Sequence, residues 1–333
     1  MKIEKAMVTG GGGFLGKAVV RKLIEKNVDV YSFSRGRYPD LDAMGVTQVQ
    51  GDLANREDVV AAFKGMDTVF HVAAKPGIWG SYDSYYQVNV TGTQNVIAAC
   101  KENNVARLVH TSSPSVIFDD YDMENVDESV PYPDHYLAPY PETKAIAEKN
   151  VVQAAKEGLP AIILRPHLIW GPEDNHLFPG IVSRASRLKI VGSEDDLVDT
   201  IYVDNAADAH ILAAEGLISN PELSGNVYFI SQDDPMSKWA MANAFLKAAG
   251  KPPITGKISA RTAYIAGVVF ETVYKLFRIK SDPPLTRFAA KEMATSHWFN
   301  ISRVKADLGY VPKVSTKEGL KRLEAWASEQ DEF

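Results

Sequence analysis

A glycine-rich turn near the N-terminus constrains the fold of this chain more than any other feature. Residues 5–9 predict a short strand, residues 10–13 a turn and residues 14–26 a helix. The glycines follow T-G-x-x-G-x-x-G spacing, which suits a sharp turn, close approach of backbone to a pyrophosphate, and tight packing of helix on strand. Free amides at a helix N-terminus favour anions. The unit therefore predicts a dinucleotide site, with candidate contacts at Gly10, Gly13, Phe14, Leu15 and Gly16.

Short apolar runs then alternate with helical patterns over the first 170 residues. This alternation is typical of βαβ units and predicts an α/β fold with a doubly wound, Rossmann-type parallel sheet. The predicted strands after the first are 28–34, 46–50, 68–72, 107–111 and 161–164, and the main helices are 14–26, 56–64, 82–103 and 139–156.

The composition changes at Gly171-Pro172, where irregular, proline-bearing stretches begin. Residues 201–218 and 227–230 regain helix and strand character. We therefore expect a dinucleotide-binding lobe of residues 1–170, rejoined by about 201–230. Residues 171–200 and 231–333 would form a smaller, discontinuous substrate lobe.

The end of the second strand bears on which nucleotide is bound. NAD-selective sites usually place a carboxylate there on the ribose 2′-hydroxyl, but this strand ends Phe33-Ser34-Arg35-Gly36-Arg37. Arg35 offers donors suited to a 2′-phosphate, and Ser34 adds a hydroxyl. We therefore expect NADP(H) in preference to NAD(H), the alternative being that both arginines are solvated loop charges. After the third strand, Asp52 beside Leu53 is placed for the adenine amine, or else caps the next turn.

A tyrosine and a lysine four residues apart, Tyr140 and Lys144, share one face of a predicted helix. A phenol of pKa about 10 is a poor acid or base at neutral pH, and a neighbouring ammonium is expected to lower that pKa. About 30 residues earlier a predicted strand ends in Ser112 and Ser113, either of which could bind a carbonyl oxygen beside the tyrosine. The alternative for the serines is simple loop capping.

Together these features resemble the extended short-chain dehydrogenase/reductases along essentially the whole chain. Thr111-Ser112-Ser113 with Ala138-Pro139-Tyr140 resembles the 3β-hydroxysteroid and sterol dehydrogenase branch. The resemblance implies that Ser113, the second serine, is catalytic together with Tyr140 and Lys144. The resemblance also implies that Tyr140 and Lys144 contact the cofactor near its nicotinamide ribose. The other contacts that the resemblance implies are Ala73, Ala74, Pro166 and Leu168.

Three longer motifs carry a closer likeness: 79–85, 167–172 and 283–288. They resemble bacterial NADPH-dependent reductases of long-chain olefin biosynthesis, which act on β-keto acids bearing two alkyl chains. The resemblance implies reduction of a hydrophobic β-keto acid to the β-hydroxy acid. It also implies a homodimer, paired through helices such as 82–103 and 139–156, and a possible assembly with other enzymes of that pathway. Apolar candidates for the substrate lobe are Trp79, Trp170, Phe178, Tyr264, Phe270, Tyr274 and Trp298.

Three other functions remain as alternatives. A 3β-hydroxysteroid or sterol-4-carboxylate dehydrogenase, or an NAD-dependent sugar-nucleotide epimerase or dehydratase, would use the same first lobe. A non-catalytic NADPH-sensing protein is the third, although such relatives often lack the tyrosine or the lysine.

Composition excludes several classes. A net charge of −6 disfavours a nucleic-acid partner, and the single cysteine, Cys100, excludes a disulfide framework and points to the cytoplasm. The histidines show no metal-ligand spacing, so we expect no metal. The N-terminal apolar run is too short for a signal peptide. The longest apolar stretch, 263–277, is interrupted by Glu271 and Lys275, so we expect no transmembrane segment. A buried amphipathic helix is favoured there over a membrane-surface contact.

Overall fold

The computed structural model describes residues 2–330. Fifteen strands occur in this part of the chain: β1 (Lys5–Thr9), β2 (Asp29–Ser34), β3 (Thr47–Gln50), β4 (Thr68–His71), β5 (Arg107–Thr111), β6 (Met123–Val126), β7 (Ala161–Pro166), β8 (Ile169–Trp170), β9 (Ile190–Val191), β10 (Leu197–Val198), β11 (Ile201–Tyr202), β12 (Val227–Ile230), β13 (Met236–Ser237), β14 (Lys257–Ile258) and β15 (His297–Phe299).

The α-helices of the described residues are α1 (Phe14–Glu25), α2 (Pro39–Ala43), α3 (Arg56–Ala62), α4 (Tyr82–Tyr85), α5 (Gly92–Glu102), α6 (Pro139–Lys156), α7 (Leu177–Val182), α8 (Val203–Ser219), α9 (Lys238–Ala248), α10 (Ala260–Leu276), α11 (Arg287–Met293), α12 (Ser302–Leu308) and α13 (Thr316–Ser328). Short 3₁₀ turns occupy Pro114–Ile117, Ala185–Arg187 and Pro221–Leu223, and a π-helical turn occupies Tyr86–Thr91.

Seven strands form one parallel sheet in the order β3-β2-β1-β4-β5-β7-β12. Its central strands β4, β5 and β7 are buried along their whole length, as is typical of a parallel sheet covered by helices on both faces. One hydrophobic core lies mainly against α1 and α8, and a second lies against α3, α5 and α6. The predicted doubly wound sheet is confirmed, and Cys100 is buried in the second core.

The helix predicted over 82–103 is wrong in one respect. α4 and α5 are separated by the π-helical turn, which is wider than an α-helical turn. Asn89 lies in that turn and is buried. Its Oδ1 accepts a 2.7 Å hydrogen bond from the Lys75 amide, and its Nδ2 donates to Thr143 Oγ1 on α6 at 3.1 Å. Through Asn89, the π-helical turn is therefore hydrogen-bonded to the segment that contains Lys75 and to α6.

The remaining elements lie mostly after residue 170. A four-stranded sheet has the order β13-β10-β15-β6, and the pairs β8–β11 and β9–β14 form two small ladders. Residues 201–230 contribute β11, α8 and β12; β12 pairs with β7, and α8 packs against α1. The proposed division into two lobes stays a prediction.

The apolar stretch 263–277 forms most of α10. The expectation of a buried amphipathic helix there is wrong, because α10 buries only Ala263, Gly267 and Glu271. Its other face carries exposed apolar side chains. Within residues 2–330, no helix combines the length and hydrophobicity needed to cross a bilayer.

Candidate active site

A cavity of about 990 Å³ opens at the carboxyl ends of the parallel strands, between the large sheet and the later elements. This is the edge at which doubly wound sheets bind ligands. Every residue that the sequence proposed for the cofactor or the chemistry lines it: Gly10, Gly13, Phe14, Leu15, Gly16, Ser34, Arg35, Asp52, Leu53, Ala73, Ala74, Ser113, Tyr140, Lys144, Pro166 and Leu168. The structure brings these residues together, while their roles remain proposals.

The glycine-rich turn presents bare backbone to this cavity. Gly10 has a φ of +71°, and a Cβ on Gly16 would lie 2.1 Å from the Gly10 carbonyl oxygen. Gly13 precedes α1 in an extended conformation and provides no side-chain cap, and the first turn contains no acid. The first amides of a helix have no partner within the helix, so those of Phe14, Leu15 and Gly16 suit a pyrophosphate. The residues present therefore fit a dinucleotide.

The two arginines after β2 differ in their partners. Arg37 binds Asp42 through two 3.0 Å hydrogen bonds, from Nε to Oδ2 and from Nη2 to Oδ1. Arg35 lines the cavity, is exposed, and makes no ion pair within residues 2–330. Ser34 Oγ donates to the Gly36 carbonyl oxygen at 2.9 Å. Arg35 is therefore the arginine whose charge remains available to a ligand.

Two further cofactor candidates have distinctive backbone or side-chain geometry. Asp52 Oδ1 accepts a 2.9 Å hydrogen bond from the Ala54 amide, so the local turn cap exists although Asp52 also lines the cavity. Leu168 follows β7 with a φ of +45°, in the left-handed region that a branched side chain rarely adopts. Strained backbone of this kind clusters at functional sites. Here the strained residue, Leu168, lies in the cavity wall.

The Ser113 hydroxyl is oriented by its neighbours. Ser113 follows β5 and caps the turn Pro114–Ile117; its Oγ accepts hydrogen bonds from the Ser115 amide at 3.2 Å and from Ser115 Oγ at 2.9 Å. With both acceptor positions used, its own proton is directed elsewhere. The side chain of Ser112 is buried, and its Oγ has no hydrogen-bond partner in the described part of the chain. The two serines are therefore not equivalent.

Tyr140 and Lys144 lie one turn apart at the start of α6. Lys144 is buried and Tyr140 is half-buried, and Lys144 Nζ donates a 2.7 Å hydrogen bond to the main-chain oxygen of Thr111. Burial raises the pKa of Tyr140 to about 12, against the lowering effect of a hydrogen bond with Ser113. Burial lowers the pKa of Lys144 to about 8.

The expectation that Lys144 lowers the pKa of Tyr140 is therefore wrong for this structure. Burial dominates, and the Lys144 ammonium is directed at a backbone carbonyl of β5. The neighbouring Glu292 and Tyr85 raise its pKa further. The phenol is consequently protonated at neutral pH, as a proton donor to a carbonyl oxygen needs to be.

Sequence reasoning missed much of the wall facing Tyr140. None of the seven apolar residues proposed for the substrate lines the cavity; Trp170 and Phe178 are fully buried in the core. Burial raises the pKa of Glu292, on α11, to about 7, while Lys238 lowers it. No local spacing links the residues that do line this wall, which are Phe118, Met123, His167, His176, Phe288, Glu292, His297 and Phe299. Within residues 2–330, no group of three His, Cys, Asp or Glu side chains could hold a metal ion.

The fold, with a cavity that joins a glycine-rich turn to a tyrosine–lysine pair, is that of the extended short-chain dehydrogenase/reductases. The sequence profile of the 3-beta hydroxysteroid dehydrogenase/isomerase family matches residues 7–256. The chain belongs to this family, and it is an oxidoreductase.

Two bacterial relatives and one solved structure illustrate the likeness. The chain is 49% identical to a 2-alkyl-3-oxoalkanoate reductase of Shewanella oneidensis, covering 97% of this chain and 86% of that one. It is 47% identical to a 2-alkyl-3-oxoalkanoate reductase of Stenotrophomonas maltophilia, with 96% and 98% covered. The structure of UDP-glucuronic acid 4-epimerase from Bacillus cereus in complex with NAD matches with a TM-score of 0.76, at 21% identity over 98% of this chain and 99% of that one. At that identity the likeness concerns the fold.

Proposed function

We propose that this protein is an NADPH-dependent reductase that converts the ketone of a 2-alkyl-3-oxoalkanoate to the 3-hydroxy acid. The observation that carries the proposal is the shared cavity, in which Ser113, Tyr140 and Lys144 meet the glycine-rich turn. The names of the two bacterial relatives support the substrate class. Apolar side chains of Phe118, Met123, Phe288 and Phe299 line the same cavity and suit alkyl chains.

The cofactor-binding residues follow from the cavity wall. The amides after Gly13 would hold the diphosphate, and Arg35 would hold a 2′-phosphate, because Arg35 has no competing ion pair in the described residues. Ser34 would join Arg35 by turning its hydroxyl from the Gly36 carbonyl oxygen to the phosphate. Asp52 accepts from the adenine amine beside Leu53. Ala73 and Ala74 pack against the nucleotide, the backbone from Pro166 to Leu168 positions the carboxamide, and Lys144 binds the ribose hydroxyls. A bound nicotinamide supplies the hydride.

Three side chains then act on the substrate ketone. Ser113 donates a hydrogen bond to the ketone oxygen, since its own acceptor positions are used by Ser115. Tyr140 gives its proton to the same oxygen as negative charge develops there. Burial holds the phenol in its protonated form until that moment. Lys144 anchors the start of α6 to β5 through Thr111, which keeps Tyr140 opposite Ser113.

The alternatives account for fewer of these features. An epimerase or dehydratase keeps NAD through its cycle, and the free charge of Arg35 favours NADP(H) instead. A sterol-4-carboxylate dehydrogenase uses NAD, which the available charge of Arg35 likewise disfavours. A non-catalytic NADPH sensor needs neither Tyr140 nor Ser113, yet both meet in the cavity.

We also propose that the protein acts in the cytoplasm as a homodimer, paired through α4–α5 and α6, the helices used in this class. Assembly with other enzymes of long-chain olefin biosynthesis belongs to the same proposal.

The test is a substrate panel followed by the absorbance of NADPH, in both directions and with NADH in parallel. The panel contains 2-alkyl-3-oxoalkanoates, 3β-hydroxysterols with and without a 4-carboxylate, and UDP-sugars. We expect NADPH oxidation with the β-keto acids alone. Turnover of a sterol or a UDP-sugar without turnover of any β-keto acid would contradict the proposal.

A further inference from the structure

Helix α10 and the turn after it present an apolar surface to solvent. The most exposed side chains are those of Leu276 and Phe277, at 73% and 69%. We call this surface the α10 face; it consists of Ile265, Val268, Val269, Val273, Leu276, Phe277 and Ile279. Those within the helix, from Ile265 to Leu276, recur at helical spacing on one side of α10, and Phe277 and Ile279 follow its end. Scattered exposed apolar residues are ordinary, but a contiguous set of this kind marks an interaction surface.

The opposite side of α10 fixes this orientation. Ala263, Gly267 and Glu271, spaced four residues apart, are buried against α11. The Glu271 carboxylate accepts hydrogen bonds from the Arg287 amide at 2.7 Å and from Arg287 Nε at 2.9 Å. A Cβ on Gly267 would lie 2.8 Å from the Arg287 nitrogen, so the two helices are in close contact. The helix cannot rotate its apolar side inward without breaking these contacts.

Cations border the α10 face. Arg261, Lys275, Arg278 and Lys280 are all exposed, and only Lys275 has a nearby carboxylate, Glu271 at 3.9 Å. The other three make no ion pair within residues 2–330. Residues 257–291 contain seven Lys or Arg and two acids, a balance of +5 in a chain whose net charge is −6. Three of these seven cations are paired: Lys257 with Glu194, Arg287 with Glu271 and Lys291 with Asp120. The unpaired positive charge beside the apolar surface therefore comes from Arg261, Arg278 and Lys280.

We propose that the α10 face docks on an anionic lipid surface, with its apolar side chains in the headgroup boundary and its cations on the lipid phosphates. An exposed apolar helix side flanked by Lys and Arg has the composition of interfacial helices. Each cation near an anionic surface adds to the attraction. The helix lies along such a surface and does not cross it.

The charge distribution disfavours a second copy of this chain as the occupant. Two-fold pairing would bring the same patch of each copy together. Arg261, Arg278 and Lys280 of one copy would then face the like charges of the other, with Asp282 the only exposed acid of residues 257–291 to compensate. An anionic surface supplies the missing negative charge.

The helix behind the α10 face contributes to the cavity. α11, clamped to α10 through Arg287 and Glu271, contributes Phe288 and Glu292 to the cavity wall. Docking would therefore hold this wall of the cavity one helix diameter, roughly 10 Å, from the docked surface. The proposal goes beyond the proposed reaction and does not depend on it, because binding to lipid requires no turnover.

Co-sedimentation with vesicles tests the proposal directly. We expect the protein to sediment with vesicles of equal parts phosphatidylglycerol and phosphatidylcholine, more weakly as salt is raised, and not with pure phosphatidylcholine. The Leu276→Glu, Phe277→Glu double variant should lose binding. Arg278→Glu with Lys280→Glu should weaken partitioning by about 25-fold or more, at roughly five-fold per cation.

Matched controls carry the same chemistry elsewhere on the surface. Val311→Glu places an acid at another exposed apolar position, and Lys317→Glu with Lys321→Glu reverses two other exposed lysines. After correction for the general effect of their changed net charge, the vesicle binding of these variants should lie within about three-fold of that of the parent protein. All variants should keep the parent melting temperature, since the altered side chains are exposed.

Two kinds of result would overturn the proposal. One is failure of the parent protein to bind anionic vesicles at low salt, or equal losses in the control and α10 variants. The other is a concentration-dependent oligomer, measured by light scattering, that the Leu276→Glu, Phe277→Glu variant abolishes. That second result would assign the face to contact between copies of this chain.

Discussion

Lys144 Nζ lies 2.7 Å from the main-chain oxygen of Thr111, to which it donates a hydrogen bond. Thr111 ends β5 and directly precedes the two serines, while Lys144 belongs to the helix that carries Tyr140. This contact therefore joins the two elements from which the reactive groups project. It explains how one lysine contributes to the site without lowering the pKa of the tyrosine.

The buried ammonium makes stability depend on pH. Because burial lowers the pKa of Lys144 to about 8, below its usual 10.5, the unfolded state binds more protons between those values. The cost of the buried charge is therefore full below about pH 8 and is relieved as pH rises toward 10.5. Lys144→Met should accordingly gain stability relative to the parent at pH 7, and this gain should shrink by a few kcal/mol by pH 10. Urea unfolding at several pH values measures the difference, and a gain that does not change with pH would contradict the assignment.

The two serines should respond differently to alanine. Ser113→Ala removes the hydroxyl that binds the ketone oxygen, and we expect kcat/KM to fall by about 10²-fold or more. Ser112→Ala removes a buried hydroxyl with no partner in the described residues, so activity should change little and stability should rise by up to about 1 kcal/mol. Steady-state kinetics and thermal unfolding of both variants provide the comparison. Equal losses of activity would show that Ser113 has no special role.

Arg35 and Arg37 form a second matched pair. Arg35→Ala should raise the KM for NADPH by about ten-fold or more and leave the KM for NADH nearly unchanged, since the lost contact is with the 2′-phosphate. Arg37→Ala should affect neither, because Asp42 already binds that guanidinium. Steady-state kinetics of both variants with NADPH and with NADH measure these KM values. A parallel rise for NADPH and NADH in Arg35→Ala would exclude the 2′-phosphate contact.

Glu292 should make binding of an acidic substrate pH-dependent. Burial raises the pKa of its carboxyl group to about 7, so it is neutral below that pH and ionised above it. Tyr140 and the Lys238 ammonium are the groups that interact with it. Ionised Glu292 repels a substrate carboxylate, and we expect the KM for a β-keto acid to rise as pH passes 7.

Two controls test this effect, one with a variant and one with a different substrate. Glu292→Gln should have a KM that is flat through pH 7, and a ketone without a carboxylate should show no rise with the parent protein. A rise that persists in Glu292→Gln would assign the pH dependence to another group.

Local spacing explains what the sequence could predict. The glycine turn and the Tyr140–Lys144 pair lie within single elements, so their relative positions follow from strand, turn and helix geometry. Phe118, Glu292 and Phe299 come from separate segments that meet only through tertiary packing. The pKa of Tyr140 and the exposure of α10 also depend on tertiary packing. An amphipathic pattern predicts a helix with two faces, but it does not tell which of them the rest of the chain covers.

The most direct test of the account is the turnover of Tyr140→Phe with a 2-alkyl-3-oxoalkanoate, followed by NADPH absorbance beside the parent protein. The variant keeps the ring and lacks only the proton donor. We predict unchanged NADPH binding, measured by fluorescence titration, and a kcat lower by about 10²–10⁴-fold. A Tyr140→Phe enzyme with near-normal kcat would contradict the assignment of Tyr140 as the proton donor.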